Sequence, residues 1–345
     1  MLDGKRILVT GGTGSLGKAL VRRLLSGEMG KPAKVVVFSR DEAKQHEMRA
    51  EWNRLRAPTE DVAFRDYRRV LDFKIGDVRD YDSISDAVRQ VQIVFHAAAL
   101  KQVPSCEYEP IEAVKTNVLG ASNVVRAILA EGSDVEVALA ISTDKACKPV
   151  NVMGMTKALQ ERIFVNGNLG HGPKFLCVRY GNVISSRGSV VPLFVEQIRS
   201  GGPVTVTLAQ MTRFLLTLDH AVDTIFAALR SGERGDLYIP RAPAAYVIDV
   251  AKALIGDRQI EIQIVGVRPG EKVHEILISE EEVFRTMQRD DYYVIRPILP
   301  ELSGPLTPVR TTEYSSGDVT LDVAGIRRLL ASAGIGETVA ASAPA

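Results

Sequence analysis

The chain has few cysteines and histidines and no long apolar run. Three cysteines, Cys106, Cys147 and Cys177, stand far apart among the 345 residues. This excludes a disulfide framework and a paired-cysteine zinc site, and it is typical of a reducing compartment. The five histidines show no spacing of metal ligands, so we expect no protein-bound metal. No stretch reaches the roughly 18 apolar residues of a membrane span.

The chain also lacks an excess of charge of one sign. It carries 43 Lys and Arg against 42 Asp and Glu. Because no overall field would attract nucleic acid, we expect no such partner, and an anionic ligand has to be bound locally. The N-terminus passes directly into an apolar strand at Ile7, which leaves no room for a signal peptide. We therefore expect a cytoplasmic protein with no membrane partner.

Short β-branched segments alternate along the chain with segments of helical periodicity, such as Leu16–Leu25 and Ala113–Leu129. The β-branched segments expected to form strands are Ile7–Thr10, Val35–Phe38, Ile93–Ala97, Val135–Ser142 and Phe175–Val178. This alternation predicts an α/β fold with a doubly wound parallel sheet.

The pattern loosens after Asn182 into loops rich in Gly, Pro and Arg. We therefore expect a dinucleotide-binding domain over residues 1–183 and a smaller substrate lobe mainly over 184–330. A strand at Asp236–Pro240 indicates that some later segments return to the core. Residues 331–345 have no periodic apolar face and are expected to form a flexible tail.

The first predicted strand ends in a glycine-rich turn, TGGTGSLG over residues 10–17, which opens onto a helix. Glycines allow the tight turn and a close approach to a pyrophosphate, and the helix N-terminus supplies amide donors. This context predicts a dinucleotide site. The residues expected to contact the cofactor here are Gly11, Thr13, Gly14, Ser15, Leu16 and Gly17.

The second predicted strand ends in Ser39 and Arg40 rather than in an acidic residue. A carboxylate there would accept a hydrogen bond from the ribose 2'-hydroxyl of NAD. Ser39 and Arg40, with Lys44 nearby, can instead bind a 2'-phosphate. We therefore expect NADP, and NAD stays open because Asp41 is adjacent.

Three later segments are expected to complete the cofactor site. Asp77 can accept from the adenine amine, although it can equally cap the next helix. Asn117 lies mid-helix, where asparagine has poor propensity, so we expect it to bond to backbone near the site. The other residues expected here are Val78, which follows Asp77, and the small Ala97, Ala98 and Ala99, which leave room for the cofactor.

Met153 occupies the place where a short-chain dehydrogenase normally carries its catalytic tyrosine, four residues before Lys157. That tyrosine exchanges the proton of a substrate hydroxyl, which a thioether cannot do. Either the chain has lost its chemistry or the acid and base work has moved to Asp144 and Lys145. This pair follows a predicted strand, where ligands bind in such sheets. The alternative for the pair is a surface ion pair.

Seven segments together resemble the extended short-chain dehydrogenase/reductases that act as UDP-N-acetylglucosamine 4,6-dehydratases. They are TGGTGSLG (10–17), FSRD (38–41), GDVR (76–79), HAAALKQVP (96–104), KTNVLG (115–120), STDKA (142–146) and RYGNV (179–183). The resemblance covers nearly the whole chain to about Asp291 and is closest to the soluble capsule-type enzymes. In those, methionine also replaces the tyrosine. The resemblance implies a Rossmann domain that binds NAD(P).

The resemblance also implies catalytic roles. Asp144 would be the acid for the C6 hydroxyl, Lys145 the base at C5, and Thr143 would align the 4-oxygen. Lysine is a base only if burial or a nearby cation lowers its pKa, which we expect Lys157 to support. Lys157 would also hold the nicotinamide ribose. The 4-hydroxyl proton is left to Asp144 or a water.

Residues of the later chain would hold the UDP-sugar by the same resemblance. Arg213 and Arg268 would lie near the diphosphate, because a guanidinium makes paired charge-assisted bonds. Glu271 would face the ribose. The further residues expected to contact substrate are Lys101, Asn182, Arg187 and Val190. Exposed surface arginines are the alternative for each arginine.

The expected activity is NADP-dependent 4,6-dehydration of UDP-N-acetylglucosamine with inversion at C5, for bacterial surface polysaccharides. One alternative is a UDP-sugar 4-epimerase, which shares the first hydride step but normally relies on the tyrosine. Another is a non-catalytic dinucleotide sensor, which has no need of Asp144 and Lys145. The resemblance further implies a homo-oligomer, a dimer or a hexamer.

Overall fold

A computed structural model describes residues 1–54, 67–184, 186 and 189–335. The strands are β1 (Arg6–Thr10), β2 (Lys34–Ser39), β3 (Leu71–Ile75), β4 (Ile93–His96), β5 (Val137–Thr143), β6 (Lys174–Tyr180), β7 (Asn182–Val183), β8 (Val204–Val206), β9 (Thr212–Leu216), β10 (Leu237–Pro240), β11 (Ala244–Tyr246), β12 (Ile262–Ile264), β13 (Ile276–Ile278), β14 (Thr286–Arg289), β15 (Tyr292–Ile295) and β16 (Tyr314–Ser315).

The helices lie between these strands. They are α1 (Ser15–Ser26), α2 (Glu42–Arg54), α3 (Tyr67–Val70), α4 (Tyr81–Val88), α5 (Val103–Tyr108), α6 (Pro110–Ala113), α7 (Gly120–Leu129), α8 (Val152–Asn166), α9 (Val190–Arg199), α10 (Leu218–Ser231), α11 (Val247–Ile255) and α12 (Val323–Ser332). A π-helical turn, Val114–Leu119, joins α6 to α7, and a 3₁₀ turn, Asp144–Ala146, follows β5. Over the described ranges, no helix is long and apolar enough to cross a bilayer.

A nine-stranded sheet forms the centre of the fold, in the order β14-β15-β10-β6-β5-β4-β1-β2-β3. In the sheet order from β10 to β3, all neighbouring strands pair in parallel, whereas β15 is antiparallel to β10 and β14 is antiparallel to β15. Strand order reverses between β1 and β4, and in such sheets ligands bind at the carboxyl ends beside this reversal. The α/β fold with a doubly wound parallel sheet is therefore confirmed.

The observed elements follow the predicted pattern closely. The five predicted strands correspond to β1, β2, β4, β5 and β6, with ends that differ by one or two residues. The strand expected at Asp236–Pro240 is β10, which pairs with β6 and thus returns to the main sheet. The helix expected over Ala113–Leu129 is interrupted by the π-helical turn.

A second hydrophobic cluster lies in the later chain, apart from the main core around the large sheet. Its fully or nearly fully buried members include Ile184, Val191, Phe194, Val204, Val206, Leu215, Val250 and Ile326. The small sheets β11-β9-β7 and β12-β8 contribute to it. The division into two domains near residue 184 stays a prediction.

The expectation of a flexible tail from residue 331 is wrong for residues 331–335. Helix α12 continues to Ser332, and Leu330 and Ile335 are buried in the second cluster. Ile326 and Leu330, four residues apart, form the buried face of α12, and Ile335 packs into the same cluster just after the helix ends. Residues 336–345 lie outside the described residues.

Candidate active site

The glycine-rich turn between β1 and α1 is built for close backbone contacts. Gly11 has φ +67°, and a Cβ there would lie 2.7 Å from the amide nitrogen of Ala98. A Cβ on Gly17 would lie 2.5 Å from the Cα of Gly12. Gly14 is the N-cap of α1 and makes no side-chain capping bond. The first-turn amides of the helix are therefore left for an anionic ligand, as a dinucleotide phosphate requires.

The residues after β2 divide into paired and exposed cations. Lys44 donates to the carboxylate of its neighbour Asp41 at 2.5 Å. Arg40 is 54% exposed, and its guanidinium lies 3.9 Å from Asp77. Ser39 is nearly buried and accepts a hydrogen bond from Thr13 Oγ1 at 3.2 Å. Of the predicted phosphate ligands, Arg40 is the better placed, because Asp41 already neutralises Lys44.

Asp77 is an ionised acceptor at the edge of the same region. Burial alone would raise its pKa, but hydrogen bonds from Arg79 outweigh this and lower the pKa below its usual value. Its Oδ2 accepts from Arg79 Nε at 2.8 Å. A carboxylate in this state suits the predicted role of accepting from an adenine amine.

Asn117 connects the segment that follows β4 to helix α8 by hydrogen bonds. Its Oδ1 accepts from the backbone amide of Leu100 at 2.8 Å, and its Nδ2 donates to the Leu100 carbonyl at 2.9 Å. Nδ2 also donates to Thr156 Oγ1 at 3.0 Å. The predicted bonding of Asn117 to nearby backbone is confirmed. The segment Ala97–Ala99, which precedes Leu100, is thereby held against the site.

Lys157 lies buried on α8 beside the end of β5. Its Nζ donates to the Ile141 carbonyl at 2.5 Å and to Gln160 Oε1 at 2.7 Å. Burial lowers the pKa of Lys157 to about 8. His96 is neutral, because burial and the charge of Lys157 lower its pKa to about 3. His96 therefore acts as a core residue, with its Nδ1 2.8 Å from Thr10 Oγ1.

Met153 packs as an ordinary apolar side chain. It is 4% exposed and forms a small cluster with Cys106 and Ala113. Leu100 and Val103 pack against this cluster. The thioether therefore fills a wall of the site and offers no acid or base.

Asp144 and Lys145 lie in the 3₁₀ turn at the carboxyl end of β5, as predicted. Lys145 Nζ lies 3.0 Å from Asp144 Oδ1 and 3.2 Å from Glu275 Oε1. Thr143 Oγ1 donates to Asp144 Oδ1 at 2.9 Å. The side chain of Lys145 is 20% exposed, whereas Asp144 is fully buried. The pair is thus a part of a buried cluster and not a surface ion pair.

The pKa values of the two carboxyl groups in this cluster, Asp144 and Glu275, are shifted in opposite directions. Burial, with a contribution from the charge of Glu275, raises the pKa of Asp144 above its usual value. Burial would also raise that of Glu275, but Lys145, Arg213 and Lys272 outweigh it and lower the pKa. Asp144 therefore keeps a proton more readily than Glu275 does.

The expectation of a lowered pKa for Lys145 is wrong. Burial alone would lower it, but the charges of Asp144 and Glu275 outweigh burial and raise the pKa. Lys157 is hydrogen-bonded to Ile141 and Gln160 and is not among the main influences on the pKa of Lys145. The opposing charge of Glu275 comes from a distant part of the chain.

Two further cations border the cluster. Arg213 Nε lies 3.9 Å from Glu275 Oε1, and its Nη1 donates to the carbonyls of Thr212 and Val273 at 2.7 and 3.2 Å. Lys272 Nζ donates to the Cys147 carbonyl at 2.5 Å and lies 4.0 Å from Glu275 Oε2. With Lys145, three cations surround two carboxyl groups, so the cluster favours an anionic ligand.

The other residues predicted to contact substrate differ in their burial and hydrogen bonding. Arg213 is buried at the cluster, whereas Lys101 and Arg268 are exposed. Asn182 Oδ1 and Glu271 Oε2 are buried and have no hydrogen-bond partner within the described ranges. Val190 begins α9 and is half-buried. Arg187 lies outside the described residues.

Sequence reasoning missed several residues that hold the site together. Asn151 caps α8 and donates to the Gly270 carbonyl at 2.7 Å, which ties the loop of Arg268 to the helix. Arg179 lies in a buried network, 2.7 Å from Glu161 Oε2 and 2.7 Å from Glu282 Oε2. Burial would raise the pKa of Glu282, but Arg179 lowers it to about 2.

Glu275 is the missed residue closest to the chemistry. It precedes β13, and it belongs to the segment KVHE (272–275), which shows no motif spacing.

Across the described ranges, no group of three His, Cys, Asp or Glu side chains is arranged to hold a metal ion.

The chain is similar to several known proteins. The profile of the family described as "Polysaccharide biosynthesis protein" matches residues 7–297. A UDP-glucose 4-epimerase of Rickettsia conorii is 44% identical over 301 residues, which are 86% of this chain and 84% of that protein.

Two solved structures are similar. Pen from Bacillus thuringiensis has a TM-score of 0.85 at 32% identity, over 97% of this chain and 99% of that one. A dTDP-glucose 4,6-dehydratase from Streptomyces venezuelae, with NAD bound, has a TM-score of 0.66 at 22% identity, over 78% and 86%. The chain therefore belongs to the polysaccharide biosynthesis protein family.

Proposed function

We propose that the chain is a UDP-N-acetylglucosamine 4,6-dehydratase that inverts C5 and uses NADP. One observation carries the proposal. The acid and base groups at the end of β5 are Asp144 and Lys145, while Met153 presents only a thioether packed against Cys106. Groups that can protonate a leaving oxygen and remove a carbon-bound proton suit an elimination. A simple hydroxyl oxidation does not need both.

A nicotinamide dinucleotide would supply reversible hydride acceptance at this site. The amides at the start of α1 suit its phosphates, because Gly14 leaves them without a side-chain cap. Lys157 would hold the nicotinamide ribose from its buried position beside Ile141. Ala97–Ala99, fixed through Leu100 by Asn117, border the same space.

The elimination needs one acid and one base, and we assign these roles to Asp144 and Lys145. Oxidation at C4 gives a ketone, which makes the C5 proton acidic. Lys145 takes that proton, and Asp144 protonates the C6 oxygen so that it leaves as water. The raised pKa of Asp144, caused mainly by burial, suits a group that holds a proton to donate. Thr143, bonded to Asp144, would align the 4-oxygen.

The charges around the cluster favour a nucleotide-sugar substrate. With Asp144 protonated, Lys145, Arg213 and Lys272 face the single charge of Glu275. A diphosphate would offset this excess of positive charge. The buried acceptors Asn182 Oδ1 and Glu271 Oε2 suit donors such as the hydroxyls of a sugar or a ribose. Lys101, Arg268, Val190 and Arg187 are proposed to border the nucleotide.

The proposed preference for NADP rests on Arg40, whose exposed guanidinium follows β2. Titration of the purified protein with NADP and with NAD measures the preference. Arg40→Ala should weaken NADP binding at least tenfold and leave NAD binding within about twofold, because only the 2'-phosphate contact is removed. Lys44→Ala is the matched control, since Lys44 is paired with Asp41. Equal losses for both cofactors would contradict the assignment.

A 4-epimerase is the competing function, because the Rickettsia relative carries that name. Incubation with UDP-N-acetylglucosamine in deuterated water, followed by NMR, separates the two. A dehydratase gives a 4-keto-6-deoxy sugar with deuterium at C5. A 4-epimer without solvent label would refute the proposal, and unchanged substrate with bound cofactor would favour a sensor.

Asp144→Asn tests the acid directly. The amide keeps the shape of the side chain but has no proton to donate to the C6 oxygen. We expect kcat to fall at least about 100-fold with KM little changed, as for the loss of a general acid. Near-normal turnover would remove Asp144 from the mechanism.

The homo-oligomer and the cytoplasmic location expected from the sequence remain predictions. Light scattering of the purified protein after size exclusion measures the oligomeric state. A monomer at all concentrations would contradict the first of them.

A further inference from the structure

The proposed function requires Lys145 to become a neutral amine before it can take a proton from C5. Its ammonium is instead stabilised by two carboxyl groups, at 3.0 Å from Asp144 and 3.2 Å from Glu275. Loss of the proton would remove the cation that lies nearest to both carboxyl groups. A nearby group that accepts this proton would remove the difficulty.

Glu275 has the geometry of such a group. Its side chain is 2% exposed, and its Oε1 is within reach of Lys145 Nζ. Its Oε2 is buried and accepts no hydrogen bond from any described residue. The backbone holds Glu275 firmly, because its amide donates to Ser316 Oγ at 2.9 Å and its carbonyl accepts from the Ser316 amide at 2.8 Å.

We propose that Glu275 is a positioning residue that takes the proton of Lys145 and holds it while the neutral amine acts at C5. This rests on the proposed function. An N–H bond of the ammonium breaks and an O–H bond forms on Oε1. The freed lone pair of Lys145 then takes the C5 proton, and the C5–H electrons form the C5–C6 double bond as the C6–O bond breaks.

The remaining protons balance within the site. Asp144 supplies the proton with which the C6 oxygen leaves as water. The 4-hydroxyl proton leaves through water and later restores Asp144. When a hydride adds to C6, water supplies a proton to the opposite face of C5, as inversion requires, and Glu275 releases its proton to water. The transfer between Lys145 and Glu275 leaves the total charge of the cluster unchanged.

The groups facing the pair set the direction of this transfer. They are Asp144 from the same turn, Arg213 from β9, and Lys272 from the loop before β13. Arg213 and Lys272 stabilise the ionised carboxylate, so the ammonium form of Lys145 dominates without substrate. An anionic substrate that offsets these two cations would raise the proton affinity of Glu275.

The first test needs no turnover. The reactivity of the Lys145 amine toward reductive methylation is followed against pH by peptide mass spectrometry in the wild type and in Glu275→Gln. Loss of the carboxylate charge should move the labelling of Lys145 to lower pH by about one unit or more. Glu136→Gln, which breaks the surface pair with Lys5, is the control and should not move it. Unchanged labelling in Glu275→Gln would overturn the proposal.

The second test is the pH profile of dehydration. In the wild type the proton moves within the pair, so kcat should vary little between about pH 6 and 8. In Glu275→Gln the proton has to leave to solvent, so kcat should fall about tenfold for each pH unit on the acid side, with KM little changed. Glu275→Asp should restore the flat profile. A loss that is equal at every pH would indicate a merely structural role and overturn the proposal.

Failure of the proposed function gives a different result. A wild type that makes no 4-keto-6-deoxy sugar would refute the dehydratase, while the labelling experiment would still decide whether the carboxylate of Glu275 controls the proton affinity of Lys145. A folding defect in Glu275→Gln is detected by its thermal unfolding, and Glu275→Met, which also removes the carboxylate, then takes its place in both tests.

Discussion

Gly154 in α8 lies so close to Lys145 that a Cβ at position 154 would overlap the Lys145 carbonyl oxygen. The helix and the 3₁₀ turn therefore meet backbone to backbone. The position of Asp144 and Lys145 depends on this contact, because the turn has no room to shift toward α8.

Gly154→Ala should accordingly destabilise the protein and displace the turn. Alanine favours a helix by about 1 kcal/mol over glycine, so any loss reflects the overlap. We expect the free energy of unfolding to fall by about 1–3 kcal/mol, measured by urea denaturation, and kcat to fall about tenfold or more. Gly304→Ala is the control, since a Cβ at Gly304 meets no atom within 4 Å. An alanine variant as stable and active as the wild type would contradict the overlap.

Met153→Leu should have little effect on turnover. The thioether packs against Cys106 and Ala113, and leucine has a similar volume and apolar character. We expect kcat within about threefold of the wild type in the dehydration assay. Met153→Ala would leave a cavity and lower the unfolding free energy by about 2–5 kcal/mol. A 100-fold loss in the leucine variant would mean that the sulfur takes part in catalysis.

Arg179→Met should be among the most destabilising single changes in the chain. It leaves the carboxylates of Glu161 and Glu282 buried without their shared partner. We expect a loss of about 3–5 kcal/mol in the unfolding free energy, measured by chemical denaturation at pH 7.

A second substitution checks the cause of that loss. Adding Glu282→Gln to Arg179→Met removes one of the stranded charges, so the double variant should be more stable than Arg179→Met alone. Additive losses would show that the carboxylates do not depend on Arg179.

Stability should depend on the protonation of Lys157. Its pKa is about 8 in the folded protein because of burial, against 10.5 in an unfolded chain. Between these values the unfolded chain binds more protons, so the unfolding free energy rises with pH. At about 1.4 kcal/mol per pH unit, the wild type should gain about 3 kcal/mol relative to Lys157→Met from pH 8 to pH 10.5. The exposed Lys252→Met serves as control, and a difference that is independent of pH would contradict the low pKa.

Local pattern was sufficient to predict much of the fold. The strands β1, β2, β4, β5 and β6 are continuous β-branched runs, and the turn at Gly11 needs glycine for its positive φ. Position in the chain also placed Asp144 and Lys145 correctly, because ligands meet the carboxyl ends of parallel strands.

The electrostatics of the site could not be predicted in the same way. The pKa of Lys145 depends on Glu275, and the buried position of Arg179 depends on Glu282; both carboxylates lie far along the chain from their partners. No sequence periodicity links these charged partners. They meet only because β5 pairs with β6 and because the segment around β13 packs beside the ends of these strands. Sequence reasoning therefore located Asp144 and Lys145 but predicted the wrong direction for the pKa shift of Lys145.

Four residues with different tasks lie on the single helix α8. Met153 packs in the apolar cluster, Gly154 contacts the turn of Lys145, Lys157 is the proposed cofactor ligand, and Glu161 pairs with Arg179. A library that varies this helix would disturb all four at once, and most of its members would be lost for lack of folding. Selection for other nucleotide sugars should instead vary residues 264–267, which are exposed and leave Arg268 in place.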